Sequence, residues 1–266
     1  MNRCAADPDY FIQNYVKIIH VDRGLIPFVM WPYQQKMVRY FRDERFVICK
    51  MPRQSGKSTT VVSFMLWKIL FLDRQSIAIL ANKGQLARDM LEKIKLAYEH
   101  LPLWMQQGVK EWNKGSITLE NDSRIIASAT SSSAVRGGTY NLIFLDEFAF
   151  VQRNIADYFF TSVYPTISSG ESTQMIIVST PFGMNHFYKM WMDSIEGRSL
   201  YMHIDVHWSE TPGRDAAWRE QVIRNTSETQ FRQEFECVFG DTMIEIYDPK
   251  TKQTMRVPIQ DLYEFM

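Results

Sequence analysis

The sequence predicts an α/β fold, a parallel sheet with helices on both faces. Three observations predict it. Short apolar runs at 46–49, 76–81, 142–146 and 174–179 read as buried strands, and stretches of helical character separate them. The first run enters a turn, residues 51–58 (MPRQSGKS), and then a long apolar run over 61–72, which makes a strand, a turn and a helix. The third run, Leu142-Ile143-Phe144-Leu145, delivers Asp146 and Glu147 at its carboxyl end. Open α/β sheets place their ligands just outside the carboxyl ends of the strands.

Taken in order, residues 9–20 read as a helix with Tyr10, Phe11, Tyr15, Ile18 and Ile19 on its apolar side. A loop with Gly24, Pro27 and Pro32 follows, then a short amphipathic helix from Tyr33 to about Arg42. Residues 85–100 alternate apolar and charged side chains at helical spacing. Residues 116–127 read as two short strands around Asn121-Asp122, a hairpin. Residues 201–206 predict a last strand, and 216–224 and 229–235 predict helices. From Cys237 to Met266 the alternation is β-type, with a turn at Asp248-Pro249-Lys250. Two or three short strands cannot bury a core alone, so this stretch needs the main domain or another chain.

Composition bounds the function. The 266 residues allow a sizeable core, and 45% apolar with 23% charged residues is ordinary for a globular protein. Formal net charge is zero, so any nucleic-acid contact must come from a local patch. Cys4, Cys49 and Cys237 are widely spaced and give neither a disulfide framework nor a zinc pattern, which fits a reducing, intracellular setting. The N-terminus lacks an apolar signal-peptide segment, and the run over 61–72 is too short to span a membrane.

The turn carries the chemistry. Backbone N–H groups at a helix N-terminus cradle anionic phosphates. In Gly56-Lys57-Ser58, Lys57 reaches the β/γ-phosphates of a nucleotide and the Ser58 hydroxyl binds Mg²⁺. The full phosphate-loop pattern asks for glycine at position 51, where Met51 stands. Short GKS strings are common, so the second motif decides. Asp146 suits a Mg²⁺ ligand, and Glu147 suits the base that polarises water for attack on the γ-phosphate.

Together the motifs resemble the ATPase domain of tailed-phage large terminases, the DNA-packaging motors. The resemblance runs over roughly residues 9–236 in RQSGKS, ILANKGQLARDML, EWNKGSITLENDS, AVRGGTYNLIFLDEFAF, VSTPFGMNHFYKMW and QFRQEFEC. It implies a P-loop NTPase sheet of the RecA/ASCE kind over 45–236, behind an N-terminal helical, adenine-binding segment over 1–44. It implies ATP as substrate, held by Gln34, Arg53, Gln54, Ser55, Gly56, Lys57, Ser58 and Thr59, with Mg²⁺ on Ser58 and Asp146. Glu147 and Arg53 take catalytic roles, Arg53 as the arginine that senses or stabilises the γ-phosphate. Ser179 and Thr180 resemble the motif coupling hydrolysis to domain movement, and Tyr33-Gln34 the adenine-recognising motif. Arg136-Gly137-Gly138 resembles a terminase loop just before the acidic strand. Implied partners are double-stranded DNA, the portal protein and the small terminase subunit, with no membrane. The implied place is the host cytoplasm, at the procapsid portal during packaging and not in the mature virion.

A large terminase also carries a nuclease domain, which the sequence does not show. Instead Cys237-Val238-Phe239-Gly240-Asp241-Thr242 resembles the first block of inteins, in which an opening Cys precedes Gly-Asp-Thr. Residues 237–266 are therefore expected to be the N-terminal half of a split intein, a short β-rich fragment. Cys237 would be its nucleophile, attacking the Glu236 carbonyl to form a thioester. A second chain would supply the C-terminal intein half and the nuclease domain. Two other readings compete. The chain is a splicing precursor with no motor activity of its own, or it is a superfamily-2-type helicase, which would need a second RecA-like domain not evident in the remaining length.

Overall fold

The computed structural model describes residues 1–131, 135, 138–168, 170–236, 243–248 and 253–258. Helices α1 (Asn2–Ala6) and α2 (Pro8–Tyr15) lead into a hairpin of β1 (Lys17–His20) and β2 (Gly24–Pro27). Then come α3 (Pro32–Asp43), β3 (Phe46–Lys50), α4 (Lys57–Phe71), β4 (Ser76–Ala81) and α5 (Gly84–Glu99). An antiparallel stretch of β5 (Val109–Trp112), β6 (Ser116–Leu119) and β7 (Arg124–Ala129) follows. Next are β8 (Leu142–Asp146), α6 (Arg153–Ser168), β9 (Gln174–Ser179), α7 (His186–Ile195) and β10 (Met202–Asp205). The chain continues through α8 (Ala216–Asn225), α9 (Glu228–Phe231), a π-helical turn Arg232–Glu236, and the antiparallel pair β11 (Met243–Asp248) and β12 (Gln253–Pro258).

One eight-stranded sheet runs in the order β10-β3-β9-β8-β4-β7-β6-β5. All neighbours from β10 to β7 pair in parallel. The expected α/β architecture is therefore present, with an antiparallel edge at β5–β6. Strand β9 lies between β3 and β8, so its carboxyl end sits between the phosphate turn and the acidic pair.

Buried parallel strands need apolar residues on both faces, and these have them. Val47 and Cys49, Ile77 and Ile79, Leu142 and Phe144, Ile176 and Val178 enter one core with side chains of α1 to α5. Their neighbours Ile48, Ala78, Leu80, Ile143, Leu145, Met175 and Ile177 enter a second core, with Phe159, Val163, Phe187 and Trp191 of α6 and α7. The period of two along each strand thus divides the molecule into three layers. Each fully buried Ile or Phe contributes roughly 1.5–3 kcal/mol. Residues of α1 to α3 share the first core with Phe64 and Trp67 of α4, and the Phe41 ring lies 5.6 Å from that of Phe64.

One expected helix is corrected. Residues 9–20 do not form a single helix: α2 stops at Tyr15, and Lys17–His20 pairs antiparallel with Gly24–Pro27. The run Val16-Lys17-Ile18-Ile19 is rich in β-branched residues, which favour strand. Gly24, at φ +63°, supplies the left-handed residue that closes the turn. The 229–235 helix is α-helical only to Phe231 and widens into the π turn. Cys237, the string to Thr242, and Pro249-Lys250 of the expected turn lie outside the described residues, as do Arg136 and Gly137. No helix among the described residues is long and apolar enough to cross a membrane.

At the end of the sheet opposite the phosphate turn, Lys68 of α4 is buried. Its Nζ donates to Gln174 Oε1 at 2.8 Å, and Gln174 Nε2 donates to the carbonyls of Phe41 and Glu44 at 2.9 and 3.1 Å. Burial pulls the Lys68 ammonium from its ordinary 10.5 down to about 8. Between those values the unfolded chain binds more protons than the folded one, so stability rises with pH across that window. Compared at matched pH by urea denaturation, the wild type should gain on Lys68→Met between pH 8 and 10.5, by on the order of 3 kcal/mol. Parallel pH profiles for the two proteins would refute this account of Lys68.

Candidate nucleotide site

The phosphate turn leaves β3 and enters α4 through two left-handed residues, Gln54 at φ +55° and Gly56 at φ +70°. Alternating hands of this kind turn successive N–H groups toward one concave side, a nest for anions. Two features favour glycine at position 56. Its φ is unfavourable for other residues, and a Cβ there would collide with the Gln34 amide. Met51 is fully buried, and its N–H donates to the Ser179 carbonyl at 3.1 Å. It serves as an apolar plug where the loop leaves the sheet.

Lys57 opens α4 and is only 7% exposed. Its Nζ lies 2.5 Å from Glu147 Oε1 and donates to Thr180 Oγ1 at 2.8 Å. The Thr180 N–H donates to Glu147 Oε2 at 3.2 Å. Three adjacent strand ends therefore converge: Lys57 after β3, Thr180 after β9 and Glu147 after β8. Ser179 ties them further. Its hydroxyl accepts the Ala149 N–H at 3.0 Å, beside Glu147, while its carbonyl holds Met51.

Asp146 is 6% exposed, and its Oδ1 is buried without a hydrogen-bond partner. Burial, and next the negative charge of Glu147, push its carboxyl up from 3.8 to about 6, while Lys57 works the other way. A buried carboxylate oxygen with no donor is suited to a cation. Ser58, partly buried at the start of α4, is the second oxygen donor of the expected Mg²⁺ pair. No group of three or more His, Cys, Asp or Glu that could hold a metal occurs among the described residues.

The other expected contacts are placed as follows. Gln34 is 2% exposed. Its Oε1 accepts the Trp31 N–H at 2.9 Å and its Nε2 donates to the Ser55 carbonyl at 3.4 Å, while Tyr33 donates its hydroxyl to the same carbonyl at 2.7 Å. Both residues brace the loop from beneath. Ser55 turns its hydroxyl inward, to the Pro52 carbonyl at 2.8 Å. Gln34, Gly56 and Thr59 also line a cavity of about 500 Å³ together with Trp31, Phe28 and Arg23. Arg53 pairs its guanidinium with Glu234 of the π turn, and its N–H donates to the Glu234 carbonyl at 3.1 Å. The structure does not bring that guanidinium into the Lys57–Glu147 pair.

The family model for the terminase large subunit, T4likevirus-type, N-terminal part, matches residues 48–251, more than half of the chain. The chain belongs to this family. The terminase large subunit of Escherichia phage T5 is 27% identical over 213 residues, which is 77% of this chain and 46% of that protein. The HK97 bacteriophage large terminase has the same fold, with a TM-score of 0.72 and 17% identity over 90% of this chain and 56% of that one. So does the large terminase of a thermophilic bacteriophage in complex with ADP, with a TM-score of 0.59 and 15% identity, covering 78% of this chain and 52% of that one. The chain thus spans about half the length of the relatives it matches.

Three residues of this terminase site escaped the sequence reading. Arg214 donates from Nη2 to the carbonyls of Arg53 and Gln54 at 3.0 and 3.1 Å. Asn185 and His186 bind the carbonyls of Ala149 and Phe148. All three act on backbone groups, for which no side-chain motif exists. Asn185 did carry one local signal, an N-cap asparagine two residues after a glycine.

The Asp146 environment has a consequence for stability. The folded chain holds that proton up to about pH 6 and the unfolded chain loses it near 3.8, so the contribution to stability falls as pH rises between them. At pH 7 without nucleotide, Asp146→Asn should be more stable than the wild type by on the order of 3 kcal/mol, and the advantage should vanish below pH 4. A lower melting temperature for the variant at pH 7 would contradict it.

Proposed function

We propose that this chain is the ATP-hydrolysing motor part of a phage terminase and that it drives duplex DNA into a procapsid. The convergence of Lys57, Thr180 and Glu147 on adjacent strand ends carries the reading, with Lys57 Nζ 2.5 Å from Glu147. The ADP complex of the thermophilic bacteriophage's large terminase supports a nucleotide as ligand. The nest at 54–56 and the N-terminus of α4 receive the phosphates. The cavity beside Gln34 and Thr59 has room for the nucleoside.

Without nucleotide, the Lys57 ammonium is neutralised by Glu147. A γ-phosphate competes for that ammonium. Once Lys57 turns to it, Glu147 is released to accept a proton from the attacking water, while the Thr180 N–H keeps its carboxylate in place. Ser58 and Asp146 would hold Mg²⁺, which neutralises charge on the phosphates. Arg53, on the same loop, would leave Glu234 to add a planar, bidentate donor to the phosphate. Because Ser179 and Thr180 touch both the loop and the acidic strand end, movement at the phosphates is passed to the strand between them.

The portal protein and the small terminase subunit are the proposed partners, at the procapsid in the host cytoplasm. Glu147→Gln should lower kcat for ATP at least about 100-fold and keep nucleotide affinity. Lys57→Ala should lose both. Turnover near wild type in Glu147→Gln would end the catalytic assignment.

We also propose that residues 237–266 act as the N-terminal half of a split intein with Cys237 as nucleophile. The string CVFGDT supports this, although the family match continues across it to residue 251. In infected cells, peptide mass spectrometry should find Gln233-Glu234-Phe235-Glu236 joined to sequence foreign to this chain, and Cys237→Ala should abolish the joined peptide. Only peptides continuing Cys237-Val238-Phe239 would exclude splicing.

A further inference from the structure

Glu147 occupies a backbone conformation that glutamate avoids, φ +49° and ψ 44°. Such a residue stays there only if its surroundings hold it. The short 3₁₀ turn that follows, Phe148–Phe150, is held by the connection between β9 and α7. The Ala149 N–H donates to Ser179 Oγ at 3.0 Å. The Ala149 carbonyl accepts from Asn185 Nδ2 at 2.6 Å. The Phe148 carbonyl accepts from His186 Nε2 at 2.8 Å, which makes that nitrogen the protonated one. The Phe150 ring stacks on Phe182, with centroids 4.8 Å apart.

We infer that Asn185 is a positioning residue for Glu147: it fixes the turn that aims the carboxylate at Lys57. This rests on the ATPase reading above. The asparagine amide works in two directions. Its Oδ1 caps α7 by accepting from Phe187 N and Tyr188 N at 3.0 and 3.2 Å. Its Nδ2 donates to Ala149 and also to the Phe182 carbonyl at 2.8 Å. The start of α7 is thereby locked to the turn beside the catalytic base. A capping role alone is filled equally well by aspartate or serine. The links to Ala149 and Phe182 demand an amide at this place, because aspartate has no donor and serine is too short to reach these partners while capping the helix.

That difference makes the test. In Asn185→Asp and Asn185→Ser the cap is kept and both amide links, to Ala149 and to Phe182, are cut. Both variants of the full chain should lose about 10- to 100-fold in kcat for ATP, since small misplacements of a catalytic group have that effect. KM for ATP should stay within about twofold, because neither the phosphate turn nor the Gln34 cavity is touched. Amide hydrogen exchange in the peptide containing Phe148 to Val151 should become faster in both, and the melting temperature of Asn185→Ser should stay close to wild type. Wild-type kcat in both variants would overturn the inference. So would unchanged exchange in that peptide, a readout that needs no turnover. A wild-type chain that hydrolyses no ATP would instead defeat the ATPase reading and leave the exchange result to decide the role of Asn185.

Discussion

The site depends on one constraint: strand β9 is inserted between β3 and β8. Neighbouring strands lie about 4.8 Å apart, so the strand that leads to the phosphate turn and the strand that ends in the acidic pair stand about 10 Å apart. In the proposed reaction that gap takes a terminal phosphate and its attacking water. It is narrow enough for one lysine to bridge. Lys57 reaches across it from the start of α4 to Glu147, and Thr180 at the end of β9 touches both. Were β3 and β8 adjacent, the two strand ends would stand about 4.8 Å apart, half that spacing.

This end of the sheet carries backbone strain and a buried carboxylate with an unpaired oxygen. Gln54, Gly56 and Glu147 have positive φ, and Asp146 is buried with an oxygen lacking a partner. At the opposite end of the sheet the buried charge is partnered: Lys68 has Gln174, and Gln174 has two carbonyls. A fold gains nothing from a buried, unsatisfied carboxylate beside a second one. The proposed Mg²⁺ would supply the positive charge that offsets it. The two regular cores, one on each face of the sheet, provide the stability against which these local costs are set.

Much of this was legible in the sequence because it is written in local pattern. Buried strands appear as apolar runs, the phosphate turn as Gly56-Lys57-Ser58, and the acidic pair as the end of such a run. The β1–β2 hairpin was missed because Ile18 and Ile19 also fit the apolar side of a helix that extends α2. Helix α6 was missed because its sequence is rich in aromatic and β-branched residues and contains Pro165, all weak helix signals. Helix α7 is short, and its start was read only as part of a motif.

The phosphate turn is the sharper lesson, since the motif residues were found and their surroundings were not. The N–H of Arg53 is satisfied by the Glu234 carbonyl, and the carbonyls of Arg53 and Gln54 by Arg214. Arg214 in turn lies over the rings of Trp218 and Phe235, 4.7 and 5.2 Å from their centroids. The tip of the turn is therefore shaped by residues far downstream, in an aromatic cluster built from α8 and the π turn. A buried backbone group must find a partner, but its own sequence does not say which. Arg53, expected at the phosphate, rests on Glu234 of the same downstream segment. In the proposed reaction a triphosphate would compete with Glu234 for that guanidinium, offering more negative charge at a geometry the planar fork fits.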